Sequence, residues 1–292
     1  MTTRLHFHWR DPRACRRFST AVSLHGHTRH SREGLEFLPG IAHRIPLLRH
    51  AIAHQERRYE VRHGHRPDYA SAYWTPPLHE REALRLERRQ IEATLGLIPM
   101  VSLTDHDNID AALHLQLFGD SGTIPVSVEW SVPYGPTCFH LGVHNLPVED
   151  CTKWMARMAS YTADPKPELR RELFEALAEL PDVLVVMNHP LWDFSRPTWD
   201  GKGAGGAILR ALVQAFIAEH REWIHAIELN GLRPWSENRE VLALAEAFDL
   251  CPVSGGDRHG TEPNANVNLT SASDFAGFVD EVRRDCQSEI IF

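Results

Sequence analysis

Short apolar runs that end abruptly in polar, ligand-type side chains recur along the 292 residues and organise the reading of the chain. Candidate strands are Ala21–Leu24, Pro99–Thr104, Ile124–Trp130, Cys138–Val143, Val183–Asn188, His225–Asn230, Leu250–Ser254 and Glu289–Phe292, most of them β-branched and apolar. Between them lie amphipathic helical patterns at Arg81–Leu95, Val148–Tyr161, Glu168–Leu180, Ala207–Glu222, Glu237–Phe248 and Ser273–Arg284. Such alternation predicts parallel strands with helices outside. The polar residues gather at the C-terminal ends of the strands, where α/β barrels and open doubly wound sheets alike place their sites. The number of different strands that contribute ligands favours the barrel.

Two segments break this rhythm. Residues 34–77 carry many His and Arg, several Pro and no clear strand, and read as an insertion, part helical, that serves as a lid. Asp193–Gly206 contains Pro197, Trp199 and a glycine run at Gly201–Gly206. That run has no strand immediately before it and no Lys-Ser/Thr ending, so it reads as a flexible loop and not as a phosphate cradle. Nothing else divides the chain, and a single domain over 1–292 is expected.

Composition narrows the partners. Thirty-one Lys plus Arg against 39 Asp plus Glu give a net charge of −8, which provides no global basic field for long duplex nucleic acid. Small anions and short oligonucleotides stay compatible with it, because bound cations add local charge that the count omits. The five cysteines are odd in number and include no Cys-x-x-Cys pair, so free thiols in a reducing compartment are expected. Met1–Arg17 has no apolar core of a signal peptide, and no later run is long and apolar enough for a bilayer. The expectation is a soluble cytoplasmic protein with no membrane partner.

The chemistry sits in the motifs that close the apolar runs. In Ser23-Leu24-His25-Gly26-His27-Thr28, side chains two apart on a strand share a face, so His25 and His27 point into one cavity. The same holds for Asp257 and His259. Thr104-Asp105-His106-Asp107, Val128-Glu129 and Asn188-His189-Pro190 repeat the arrangement. Mixed imidazole and carboxylate ligation suits Mn, Fe or Zn, and points to a metallohydrolase. His63-Gly64-His65 lacks a preceding apolar strand and reads as surface loop, and His50 and His54 read as a solvated helical face. The Arg81–Arg89 charge run, interleaved with Glu80, Glu82 and Glu87, reads as an exposed helix. Trp192, Trp199 and Trp235 are either core or a wall that stacks on a planar substrate group.

Taken in order, these motifs resemble the PHP family, the polymerase and histidinol phosphatase metal-dependent phosphoesterases, over most of the chain outside Gly34–Pro77. The resemblance adds His140, in Phe139-His140-Leu141-Gly142, as a further ligand. It implies an α/β fold, a distorted (β/α)7 TIM-like barrel with a largely helical insertion after the first strand. It also implies two to three divalent ions, Mn, Fe or Zn. His25, His27, Glu129 and Asp257 would hold one; Glu129 would bridge to a second held by His140 and His189; His106 and His259 would hold a third. The third site also needs the residue at which this chain departs from the family, where Ser31-Arg32-Glu33-Gly34 stands for Ser-Asp-Gly; Glu33 is the choice and His30 the alternative. The implied activity is hydrolysis of a phosphate ester, a small phosphomonoester or a nucleotide-type phosphodiester, by attack of a metal-bridging hydroxide. A small phosphorylated substrate or a short oligonucleotide is then the expected partner. The alternative on the same barrel site is an amide or lactone hydrolase. Catalytic roles are assigned to Asp105, which also reads as a group orienting a ligating histidine, and to Arg258 as a phosphate-binding cation. Arg196, Arg233 and Lys202 lie in loops of similar reach. Glu228 and Asn230 read as hydrogen-bonding support.

Overall fold

Among the described residues, ten short strands form the core, in two sheets. The computed structural model describes residues 2–32, 35, 46–70, 72–73, 75–118, 124–192 and 204–292. The strands are β1 (Thr2–His6), β2 (Thr20–Ser23), β3 (Ile98–Val101), β4 (Val126–Tyr134), β5 (Thr137–Leu146), β6 (Leu184–Asn188), β7 (Ala226–Asn230), β8 (Cys251–Gly255), β9 (Val267–Thr270) and β10 (Gln287–Ile291). Among the described residues the helices are α1 (Pro46–His63), α2 (Glu80–Leu95), α3 (Asp110–Leu117), α4 (Cys151–Ala163), α5 (Pro167–Ala178), α6 (Ala204–His220), α7 (Trp235–Phe248) and α8 (Phe275–Arg283).

The first sheet has the order β1-β10-β9-β2-β3 and the second β4-β5-β6-β7-β8. This overturns the expected (β/α)7 TIM-like barrel: both sheets are mixed, neither closes, and the strand order is not that of a TIM barrel. The expected all-parallel pairing fails at four interfaces, β10–β9, β9–β2, β4–β5 and β5–β6, which are antiparallel. One cause is visible in the chain. Tyr134 pairs with Thr137 across a two-residue turn, with Gly135 at φ 56, so β4 and β5 form a hairpin with no crossover helix. The pairs β2–β3, β6–β7 and β7–β8 are parallel and each is connected through at least one helix, as a parallel crossover requires.

At the end that carries the polar motifs, two single bridges join the sheets, Gly26 to Arg258 and His106 to Glu129. Asn268 of β9 adds a side-chain link, accepting from Ser254 N at 2.7 Å and donating to Ser254 O at 3.0 Å and Val22 O at 3.2 Å. A buried amide here satisfies backbone groups that the sheet leaves open. Strands β6, β7 and β8 are buried at every position, as expected of strands covered on both faces.

Three elements escaped the sequence reading. β1 is a strand of mixed polarity that pairs in parallel with β10; β9 contains Asn268, a residue depleted from strands; and α3 spans only eight residues. The insertion therefore follows the second strand and not the first. Its described part contains α1, while most of 34–45 lies outside the described residues.

Candidate metal centre

Glu129, in the middle of β4, has no exposed surface and is the hub of the site. Its Oε2 lies 3.1 Å from His25 Nε2, 3.3 Å from His27 Nε2 and 3.2 Å from His106 Nε2. Its other oxygen, Oε1, lies 3.0 Å from His189 Nε2 and 3.6 Å from His140 Nδ1, and accepts from Asn188 Nδ2 at 3.0 Å. The two oxygens of one buried carboxylate thus face two different sets of imidazoles. Asp257 completes the first set, with Oδ1 3.3 Å from His27 Nε2, 3.7 Å from His25 Nε2 and 3.4 Å from His259 Nδ1.

Strand geometry delivers this convergence. His25 and His27 follow β2 in an extended segment and share a face, while Gly26 turns to the opposite side. Asp257 and His259 mirror them after β8, and Arg258 faces away with Gly26. His189 has φ 22 and Asp257 has φ 51, so two ligand positions are held in the left-handed region, where only a well-determined surrounding structure keeps a residue that is not glycine.

A shell of hydrogen bonds fixes the rings. Glu228 Oε1 is 2.6 Å from His25 Nδ1, which places the proton there and leaves the Nε2 lone pair pointing into the cluster. The Oε2 of Glu228 accepts from His189 N at 2.8 Å and from Asn230 Nδ2 at 3.0 Å, and Asn230 also donates to Asp257 Oδ2 at 3.1 Å. His27 Nδ1 is 3.3 Å from Ser31 Oγ, which accepts from His106 N at 3.0 Å. Gly255 is required beneath Glu228, since a Cβ there would lie 1.6 Å from its carboxylate.

Electrostatics show how much cation this arrangement invites. Burial raises the carboxyls of Glu129 and Asp257, yet the surrounding imidazoles outweigh it and hold both well below the usual carboxylate range. Burial pushes His140 well below its ordinary value, and burial with His259 beside it pushes His27 to about 4. His25 resists the same burial because Glu129, Glu228 and Asp257 surround it, and stays well above its ordinary value. Anionic carboxylates beside converging imidazoles are the donor set of a divalent transition ion, whose binding would displace the proton that the carboxylates favour on His25. The separations of 3.0–3.3 Å between most neighbouring donors match those around a tetrahedral ion with ligands at about 2.0–2.1 Å, which lie about 3.3 Å apart. The residues therefore fit metal. The sets His25–His27–Glu129, His27–Asp257–His259 and His106–Glu129–His140 each bring donor atoms within 4.8 Å of one another, with His189 3.0 Å from Glu129, and would hold the ions between them.

The structure brings together His25, His27, His106, Glu129, His140, His189, Asp257 and His259. Glu33 lies outside the described residues. Its alternative, His30, faces Glu80 at 3.1 Å and not this cluster. Asp105 and Arg258, the two residues expected to be catalytic, both take framework positions. Asp105 accepts from Thr28 N at 2.5 Å and Thr28 Oγ1 at 2.7 Å, and burial pushes its carboxyl to about 6. It anchors the loop that follows His27. Arg258 turns its guanidinium to α2, 3.4 Å from Glu87 Oε1 and 3.4 Å from Gln90 Oε1. Of the loop cations, Arg196 and Lys202 lie outside the described residues, and so does Trp199. Arg233 is held bidentately by Glu237 at 2.8 Å and lies over Trp192 at 4.0 Å. Trp235 packs with Phe7 and Phe292.

Buried charged or titratable groups close to the site escaped notice. Glu80 and Glu87 face inward from a helix whose charge run reads as exposed, and His144 lies buried behind the cluster, its Nδ1 2.8 Å from Ser102 Oγ. An inward face was legible for α2, where Ala83, Leu84, Glu87 and Ile91 recur at helical spacing.

The chain matches no protein-family model and none of the curated proteins. Solved structures similar to it include a chain from Bifidobacterium adolescentis described as a candidate metal-dependent phosphoesterase, 14% identical, covering 64% of this chain and 85% of that one with a TM-score of 0.36. Another is an amidohydrolase from Chromobacterium violaceum with bound sulfate and no metal, 16% identical, covering 82% of this chain and 87% of that one with a TM-score of 0.41. Likenesses of this size define no family, and the chemistry of the site rests on its own geometry. Among the described residues, no helix is long and apolar enough to cross a membrane.

Proposed function

We propose that this protein is a metal-dependent hydrolase of phosphate esters, with a small phosphorylated compound or a short oligonucleotide as substrate. One observation carries the reading: Glu129 divides its two oxygens between two sets of imidazoles, the arrangement of a bridging carboxylate. Divalent ions held by these residues would supply Lewis acidity that activates water and neutralises the oxygens of a substrate group. A phosphoryl group presents two such oxygens side by side, whereas an amide or lactone carbonyl presents one.

The chain's own residues supply the rest. Glu129 and Asp257 bring negative charge to the site without needing a proton acceptor. Glu228 fixes the tautomer of His25 through the 2.6 Å contact and holds the His189 backbone at 2.8 Å, so both ligands keep one orientation. His259 and Asp257 are the more exposed members of the cluster, with side chains 19% and 15% accessible, and mark the side from which substrate enters. Arg233, in the loop after β7 and fixed by Glu237 over Trp192, is a positioned cation beside an aromatic face that could meet an anionic substrate. The net charge of −8 keeps long duplex nucleic acid out of the substrate class.

The test is turnover of p-nitrophenyl phosphate and bis-p-nitrophenyl phosphate by protein loaded with Mn or Zn, with and without His106→Ala. Metal-dependent release of nitrophenol that falls at least a hundredfold in the variant is expected. Hydrolysis of a lactone or amide panel in the absence of any phosphate-ester turnover would contradict the reading.

A further inference from the structure

A second group of ligand-type side chains lies beside the Glu129 cluster and shares no residue with it. His30 comes from the loop after β2, Glu80 from the first turn of α2 and His114 from the last turn of α3. Glu80 is buried although it opens a run of charges, and its two oxygens point to two rings. Oε2 lies 3.1 Å from His30 Nε2 and Oε1 lies 3.3 Å from His114 Nδ1. The rings stand edge to face, with centroids 5.0 Å apart and planes at 82°.

His30 Nε2, His114 Nδ1 and a Glu80 oxygen all lie within 4.8 Å of one another, near enough for small side-chain adjustments to bring them to about 2.0–2.1 Å from one shared ion. One carboxylate between two imidazoles is a donor set that suits such an ion. We propose that His30, Glu80 and His114 form a separate site for one divalent transition ion of the zinc type, its remaining position open to solvent beside half-exposed His114. Two further groups border it. His79 Nδ1 is 3.3 Å from Glu80 Oε2 but accepts from Arg81 N and so caps α2, and Arg29 Nε approaches to 3.5 Å from the exposed side.

Such an ion ties three segments that are distant in sequence. His30 N donates to Thr28 Oγ1 at 3.2 Å, and that hydroxyl donates to Asp105 Oδ2 at 2.7 Å. Arg29 N donates to Leu78 O at 2.9 Å, and Tyr73 Oη to Arg29 O at 2.7 Å. The ion would fasten the starts of α2 and of the His27–Ser31 loop together where the insertion returns to the body of the protein. This role is structural, and it does not depend on which ester is hydrolysed.

The test measures bound zinc by plasma mass spectrometry in full-length protein after reconstitution and dialysis, beside His114→Ala, Glu80→Gln and His106→Ala. His114 lies at the surface, so its replacement leaves the fold in place, which circular dichroism checks. One ion per chain fewer than wild type in both His114→Ala and Glu80→Gln is expected, with loss of one equivalent of the cobalt absorption band on titration. Equal stoichiometry in wild type and folded His114→Ala overturns the proposal. If the Glu129 cluster alone held no metal, His106→Ala would match wild type while the His114→Ala deficit persisted.

Discussion

Exchanging Glu228 for Gln retains its shape and removes one accepting oxygen from beneath the cluster. The carboxylate meets three donors: His25 Nδ1 at 2.6 Å, His189 N at 2.8 Å and Asn230 Nδ2 at 3.0 Å. An amide can satisfy only one side of that set. If its NH2 faces His25, the ring must accept at Nδ1 and carry its proton on Nε2, which points at Glu129 and His27, and the lone pair for metal is lost. If the NH2 faces the other side, two buried donors lose their acceptor, at a cost of about 1–3 kcal/mol each. Loss of a hydrogen-bonding partner behind a ligand weakens metal affinity by about 10–100-fold, or about 1.4–2.7 kcal/mol. Competition of metal-free protein against a chromophoric chelator for zinc measures this directly, with circular dichroism to verify the fold. Glu228→Gln is expected to bind 10–100-fold more weakly; wild-type affinity in the folded variant would refute the role of Glu228 in orienting His25.

Gly255→Ala places a Cβ 1.6 Å from the Glu228 carboxylate, so it should lower the thermal midpoint and metal affinity together, by at least the 1–3 kcal/mol typical of overpacking (about); an unchanged midpoint would contradict the packing described. Arg258→Met leaves Glu87 buried without its countercharge, 3.4 Å away in the native protein, and should cost about 3–5 kcal/mol of unfolding free energy in denaturant melts. Much of that loss should return in Arg258→Met with Glu87→Leu, and a variant as stable as wild type would show the pair to be inert. Burial pushes His144 and His225 each to about 3. Because these folded values lie below the unfolded one, each stabilises the neutral fold fully above about pH 6.5 and loses that contribution as pH falls toward 3, with a slope of up to about 1.4 kcal/mol per pH unit. Metal-free His225→Gln should therefore lose less stability than wild type between pH 6.5 and 4, and parallel curves would rule the titration out.

The strand ends were legible because each joins an apolar run to a ligand-type side chain, a contrast that local pattern reading detects. His25, His27, Glu129, His189, Asp257 and His259 all came from that signal. The pairing of strands was not legible, since direction depends on connections. The Gly135-Pro136 turn between β4 and β5 was the available clue, and reading it as a hairpin would have ruled out a purely parallel sheet. β9 stayed hidden because Asn268 serves as a backbone surrogate between β8 and β2, a role no propensity records. The same limit applied to α2: alternating charges suggest solvent, but Glu80 and Glu87 are buried by partners from distant segments, His30 with His114 and Arg258 with Asn264. Arg258 was expected to reach the phosphate from its loop, yet strand alternation sends it to the face opposite Asp257 and His259, beside Glu87.

Counting the ions bound to wild type and to Glu129→Gln, by plasma mass spectrometry after loading with Mn or Zn, tests the central claim most directly. A bridging Glu129 predicts at least two ions in this cluster in wild type and a loss of both in the folded variant. Equal ion counts in the two proteins would contradict the Glu129-centred metal site.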